Sequence, residues 1–280
     1  MSNAGFSRNP VWQAARLGDR DRYFAALLAV EPERGWMMAL AAFNGDMRRI
    51  ADTLSEPQLA QIRVQWWRET LASLQAGESA GSPIADALAA GIAERPQAAA
   101  MLEGLVEARQ FDIEGGVMAD QAELGSYLQK TDGALFSLAA EGRDDGGARA
   151  AADAGLAYGL TRIMCALPFD LARGRLFVPR DLLGRHGVDP EQLLGEGHAP
   201  GLAGALADLS ARVRGALSRA REVIAAGDGA APRAFLPLVL VEADLKALER
   251  AGTTPKKTPI GLGPPWRIAR IAWAGLTNRI

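Results

Sequence analysis

Proline opens and glycine closes one stretch of helical periodicity after another in this chain, and almost nowhere do β-branched and polar residues alternate as a half-buried strand requires. Pro32, Pro57, Pro83, Pro179 and Pro190 each open such a stretch, and glycine-rich breaks fall at 77–83, 142–147, 195–201, 227–232 and 252–265. About a fifth of the residues are alanine, the best helix former, so propensity and punctuation agree. The pattern predicts an all-α protein with helices over about 20–29, 33–54, 57–76, 84–94, 97–113, 121–141, 147–172, 201–226, 233–251 and 265–278, and no sheet. Each helix has one strongly apolar face and no long polar linker separates them, which predicts a single helical bundle over 1–280.

Charge and composition remove several function classes. With 31 Lys+Arg against 33 Asp+Glu, the chain has no global basic field to hold nucleic acid. Cys165 is the single cysteine, and His186 and His198 are the only histidines, too few for a disulfide framework or a zinc cluster. No phosphate-binding loop, dinucleotide fingerprint, nucleophile elbow or H-E-x-x-H occurs. The amino-terminal stretch lacks a long apolar run and carries Asp19 and Asp21, and no later run reaches bilayer length, so the expected location is cytoplasmic.

Two segments carry more specific information. The first runs Ala41-Ala42-Phe43-Asn44-Gly45-Asp46-Met47-Arg48-Arg49-Ile50-Ala51-Asp52, followed by Arg63-Val64-Gln65-Trp66-Trp67-Arg68. The second runs Gly159-Leu160-Thr161-Arg162-Ile163 and then Pro168-Phe169-Asp170-Leu171-Ala172-Arg173-Gly174-Arg175-Leu176-Phe177-Val178-Pro179. Together they resemble the two signatures of the squalene/phytoene synthase family. Tyr127, Thr131 and Gly133 between them resemble that family's Y-x-x-x-[TA]-x-G helix, and 234–250 is similar to its final helices. The resemblance implies an all-α isoprenoid-synthase fold, whose active members join two prenyl diphosphates head to head on Mg²⁺.

Mg²⁺ demands hard oxygen ligands, and carboxylates three or four residues apart share one helical face, which is why active members carry D-D-x-x-D and D-x-x-x-D. In this chain the first motif reads Arg48-Arg49-Ile50-Ala51-Asp52, and the second keeps Asp170 but has Ala166 at its earlier aspartate, with Arg162 at the preceding asparagine. Guanidinium groups are cationic at physiological pH and offer no lone pair to a metal. This departure resembles the family branch of respiratory complex I assembly factors, with which it shares Ala42-Phe43-Asn44, Ser55-Glu56, Arg63 to Trp67, Pro168-Phe169 and Arg175 to Pro179.

The resemblance therefore implies a noncatalytic family member acting in complex I assembly, with no cofactor and a protein client at a respiratory membrane. It would sit in the cytoplasm or at the inner face of that membrane and hold a prenyl or lipid ligand if it holds one. The alternative is a Mg²⁺-dependent prenyltransferase acting on farnesyl or geranylgeranyl diphosphate, with Asp46, Asp52 and Asp170 binding metal in an altered layout. Candidate cavity or diphosphate-binding residues are Asp46, Arg48, Arg49, Asp52, Arg68, Tyr127, Arg162, Asp170, Arg173 and Arg175.

Helical spacing also allows plain structural roles. Arg48 with Asp52, and Asp46 with Arg49, are placed to pair along one helix, and a direct anion clamp is the alternative for Arg48 and Arg49. Arg162, Arg173 and Arg175 pair with Asp170 or join that clamp. Trp66 and Trp67 are expected to pack, Cys165 to fill the core, and His186 to lie in a turn. Trp266, Ala269 and Trp273 form a stripe expected to pack the last helix on the bundle, with a membrane surface or partner helix as the other occupant.

Overall fold

The computed structural model describes residues 9–53, 57–140, 145–227, 233–252 and 260–280. Ser55-Glu56, Lys256 and Lys257, and the breaks at 142–144, 228–232 and 253–259 lie outside the described residues.

Short polar side chains start the first helices. The Asn9 side chain accepts from the backbone N–H of Val11 at 2.9 Å and Trp12 at 3.3 Å, so α1 (Pro10–Gly18) begins with Pro10 at its first turn. Asp19 caps α2 (Arg20–Leu27) in the same way. α3 (Glu33–Thr53) and α4 (Pro57–Gln75) carry the first signature, followed by α5 (Pro83–Glu94) and α6 (Ala98–Ala108). The helix expected over 97–113 breaks at Arg109 into α6 and α7 (Gln110–Glu114).

The helix expected over 121–141 is α8 (Gln121–Leu128), a π-helical turn over Gln129–Gly133, and α9 (Ala134–Ala140). The Tyr127, Thr131 and Gly133 motif thus spells a widened turn, a form that recurs at functional sites. α10 (Asp145–Leu171) carries the second signature and packs along α13 (Leu202–Ala226). Between them lie two short helices, α11 (Arg180–Arg185) and α12 (Pro190–Glu196), which start at the Pro179 and Pro190 marks but are not among the expected helix ranges. The helix expected over 233–251 starts as a 3₁₀ segment, Arg233–Leu240, because Pro237 cannot donate to an i−4 carbonyl; α14 (Val241–Ala251) and α15 (Pro264–Thr277) follow.

The expectation of no sheet needs correction. β1 (Gly116–Val117) and β2 (Arg175–Leu176) form a parallel two-residue ladder, with the Gly116 N–H on the Gly174 carbonyl at 2.8 Å. Gly115, Gly116 and Gly174 adopt φ of 73°, 100° and 70°, which lets two loops meet this closely. The ladder holds Arg175 against the middle of the molecule.

Three apolar clusters surround that middle. Phe136 stacks on Phe235 at 5.6 Å and meets Tyr158 edge-on at 5.8 Å, and Phe43 meets Trp67 edge-on at 4.8 Å. Each such fully buried side chain stabilises the fold by about 1.5–3 kcal/mol. Backbones touch where glycines face each other: a Cβ on Gly155 of α10 would lie 2.3 Å from the Gly133 Cα of the π turn, and one on Gly45 would lie 2.7 Å from the Gly18 Cα.

α15 packs the opposite way from its expected stripe. Ile271, Ala274 and Gly275 are buried, the last against Leu28, whereas Trp266 and Trp273 are each 70% exposed and Leu276 is 79% exposed. Arg267 decides the rotation: on the face of Ile271 and Ala274, its guanidinium is bidentate to Asp21 at 2.6 and 3.0 Å and to Asp244 at 2.7 and 2.9 Å. Breaking that four-bond set would strand buried charge, so the indoles turn outward. No described helix is long and apolar enough to cross a membrane.

Candidate functional site

A cavity of about 430 Å³ opens among α3, the π turn, α10, β2 and α15, within the usual size of small-molecule sites. Its apolar walls include Ile163, Ala166, Phe169 and Phe177, and its polar lining is dominated by arginine and aspartate.

A buried charge network forms part of the cavity wall and continues beneath it. Arg22 donates to Asp19 at 3.0 Å and to Asp132 at 2.7 Å, with its guanidinium 5.0 Å and 5.1 Å from the Phe136 and Tyr158 ring centres. Asn44 donates to Asp19 at 2.6 Å and accepts from Arg109 at 3.1 Å, tying this group to a second one. There Arg109 donates to Asp112 at 2.9 Å and to the Tyr127 hydroxyl at 2.7 Å, and that hydroxyl donates to Asp112 at 2.7 Å. Burial pushes the Tyr127 hydroxyl well above the ordinary phenol range, so it is a fixed donor at neutral pH.

At the rim the two surviving signature aspartates do come together, with a guanidinium between them. Arg175 lies 2.8 Å from Asp170 and 3.0 Å from Asp52, and its other terminal nitrogen donates to the Asp112 carbonyl at 3.1 Å. Burial and the neighbouring acids push Asp170 up to about 6 despite Arg175. The residues present do not fit a Mg²⁺ cluster: Arg175 holds both carboxylates, and no three His, Cys, Asp or Glu among the described residues are placed to share a metal ion.

The squalene/phytoene synthase profile matches residues 15–263, spanning both aspartate positions and the charge network. The chain belongs to the squalene/phytoene synthase family. Among curated relatives, human NADH dehydrogenase (ubiquinone) complex I assembly factor 6 is 26% identical over 84% of this chain and 72% of its own length. The Drosophila melanogaster homolog of that factor is 26% identical over 93% and 81%. A phytoene synthase from Rhodobacter capsulatus is 26% identical over 57% of this chain and 48% of its own. Among solved structures, squalene synthase from Alicyclobacillus acidocaldarius superposes with a TM-score of 0.74 at 21% identity, covering 88% of this chain and 94% of that one, which supports the isoprenoid-synthase fold.

Within this family fold, seven of the ten sequence candidates line the cavity: Arg48, Asp52, Tyr127, Arg162, Asp170, Arg173 and Arg175. Asp46 lies outside it, accepting from Trp67 Nε1 at 2.9 Å and pairing with Arg49 at 2.5 Å and Arg63 at 3.2 Å. Arg49 is thus the surface member that i,i+3 spacing predicted, and Arg68 lines no part of the cavity. The expected Arg48–Asp52 pair does not form. Asp52 turns to Arg175 and to Arg173 at 3.9 Å, and Arg48 turns into the cavity. Of the three arginines offered to Asp170, Arg175 takes it. Cys165 lines the cavity instead of filling the core, with its thiol pushed up to about 12 by burial, and His186 stands 3.0 Å from Asp208. Trp66 packs edge-on against Trp67 at 4.8 Å.

Sequence reading missed Arg109, Asp112, Asp132, Asp244 and Arg267 in the lining, and Asp19 and Arg22 beneath it. The nearest available signals were Asp132 inside the Tyr127 to Gly133 motif and the i,i+3 pair Arg109–Asp112.

Proposed function

We propose that this chain is a noncatalytic member of the squalene/phytoene synthase family that acts in the assembly of respiratory complex I through contacts with a client protein. The observation that carries the reading is the loss of the paired carboxylates: Arg48, Arg49 and Ala166 stand at three of the signature aspartate positions, and the surviving Asp52 and Asp170 are both ion-paired to Arg175. Similarity to complex I assembly factor 6 over most of the chain supports the assembly role. Deleting the gene in its host is expected to lower both NADH:quinone oxidoreductase activity and the amount of assembled complex, with restoration by the wild-type gene. Unchanged levels of both would overturn the reading. Release of pyrophosphate from farnesyl or geranylgeranyl diphosphate with Mg²⁺ by the purified protein would do so independently.

The client is met at a membrane surface, to which the protein binds peripherally. Trp266, Ala269, Arg270, Trp273 and Leu276 share the outer face of α15, and 260–280 contains no acidic residue. Exposed indoles beside arginine suit the boundary of an anionic bilayer, where the ring is half immersed and the cation meets headgroups. Vesicles with about a third anionic lipid are expected to carry the protein upward in flotation, and a Trp266→Ser, Trp273→Ser double variant is expected to lose most of that binding with unchanged thermal stability. Equal flotation of both proteins would exclude this face.

A further inference from the structure

The outer face of α4 is apolar where a surface helix is ordinarily polar. Leu59 and Ile62 are exposed, Ile62 to 66%, and Trp66 follows one turn later. Positions 59, 62, 63 and 66 are spaced i, i+3, i+4 and i+7, so α4 presents them as one stripe. The Trp66 ring is held in place, with the Arg63 guanidinium 4.3 Å from its centre and the Trp67 ring edge-on at 4.8 Å. An aromatic side chain fixed in advance beside exposed aliphatic ones is an anchor that loses little entropy when a partner covers it.

The stripe adjoins a groove. Arg63 reaches Asp46 of α3 at 3.2 Å, and Asp46 lines a groove of about 270 Å³ between α1 and α3 that Leu17, 77% exposed, also lines. The acids of this surface are engaged from within: Asp46 is buried among Arg49, Arg63 and Trp67 Nε1, and Asp52 is held by Arg175. The cations face out. Arg49 is exposed, Arg63 is half-exposed, and Arg16 and Arg20, on either side of Leu17 along the chain, are exposed. The surface that complements this one carries carboxylates beside an apolar ridge, which describes an acidic amphipathic helix. A bilayer suits the convex ridge of α15, whereas here the apolar residues of α1 and α4 are set about a depression along α3.

We propose that the client protein docks on this face of α1, α3 and α4 through an acidic amphipathic helix. The inference rests on the assembly reading and adds to it the chemistry of the partner segment. Two measurements on the full chain test it. In the deletion host, a Leu17→Asp, Ile62→Asp double variant is expected to restore less than half of the assembled complex that the wild-type gene restores, with unchanged Tm of the purified protein. In fluorescence anisotropy, a designed helical peptide with a leucine ridge flanked by glutamates is expected to bind saturably, at least tenfold tighter than the same peptide with lysines, and more weakly as NaCl is raised. The double variant and an Arg16→Glu, Arg20→Glu variant are each expected to lose most of that binding, and Arg219→Gln, a surface change at Asp153, to keep it. Should the aspartate variant fail to fold, Leu17→Ser, Ile62→Ser takes its place. Full restoration by the double variant, in a host whose complex falls on deletion, overturns this face and leaves the assembly reading standing. An unaffected deletion host overturns that reading, and the peptide titration then decides the face alone. No saturable binding, or equal binding of the two peptides, overturns the acidic partner. A dimer in sedimentation that Ile62→Asp dissociates, or vesicle flotation lost in the double variant, overturns the proposal by assigning the face to a second copy or to a bilayer.

Discussion

Replacing Arg22 with methionine is expected to lower unfolding stability by about 3–5 kcal/mol in urea titration, because it strips the shared cation from two buried carboxylates at once. Asp19 and Asp132 are 3.0 and 2.7 Å from that guanidinium. Methionine fills similar volume between Phe136 and Tyr158 but returns none of the charge-assisted hydrogen bonds. Arg219→Met, at a surface pair with Asp153, is expected to cost less than about 1 kcal/mol. The same substitution carries a pH signature. Burial alone would push Asp19 up, yet Arg22, Arg162, Arg48 and the Asn44 amide hold it at about 2, below its ordinary 3.8. A carboxyl depressed in the folded state contributes stability that is fully present above its unfolded value and is lost as the pH falls through the folded one. The wild type should therefore lose this contribution between pH 3.8 and about 2, and the midpoint of acid unfolding of Arg22→Met should move to higher pH.

Gly155→Val is the second large effect, and it is steric. A Cβ there would meet the Gly133 Cα at 2.3 Å, the Gly133 nitrogen at 2.4 Å and the Asp132 carbonyl carbon at 3.0 Å. These are backbone atoms of the π turn and cannot rotate away, so α10 and the turn must separate. The expected loss is about 3 kcal/mol, at the upper end for overpacked cores, and the displacement pulls Asp132 from Arg22. Gly104→Ala in α6, where nothing lies within 4 Å of the added methyl, should instead stabilise by about 0.4–1 kcal/mol through helix propensity. Urea unfolding of the pair separates steric cost from propensity.

The helices were legible where punctuation was local. Pro57 and Pro83 start α4 and α5 at the expected places, and 265–278 differs from Pro264–Thr277 by one residue at each end. What the sequence concealed depended on contacts distant along the chain. Arg175 and Asp52 are 123 residues apart, so helical spacing suggested Arg48 as the partner of Asp52 when tertiary structure supplies a better one. The stripe of Trp266 and Trp273 was read correctly as a face and assigned to the wrong side, because Arg267 binds acids from α2 and α14 that no local pattern connects to α15. Arg48 and Arg49 are neighbours with different fates, one half-buried in the cavity wall and one at the surface, since adjacent helical positions point about 100° apart.

Arg267 also joins two things that would otherwise be independent. It is at once part of the cavity lining and the main polar anchor of a helix whose far side carries bare tryptophans. A load applied to those indoles would be in mechanical series with the chamber wall, so a body docked outside α15 and a molecule filling the cavity would each bear on one and the same helix position.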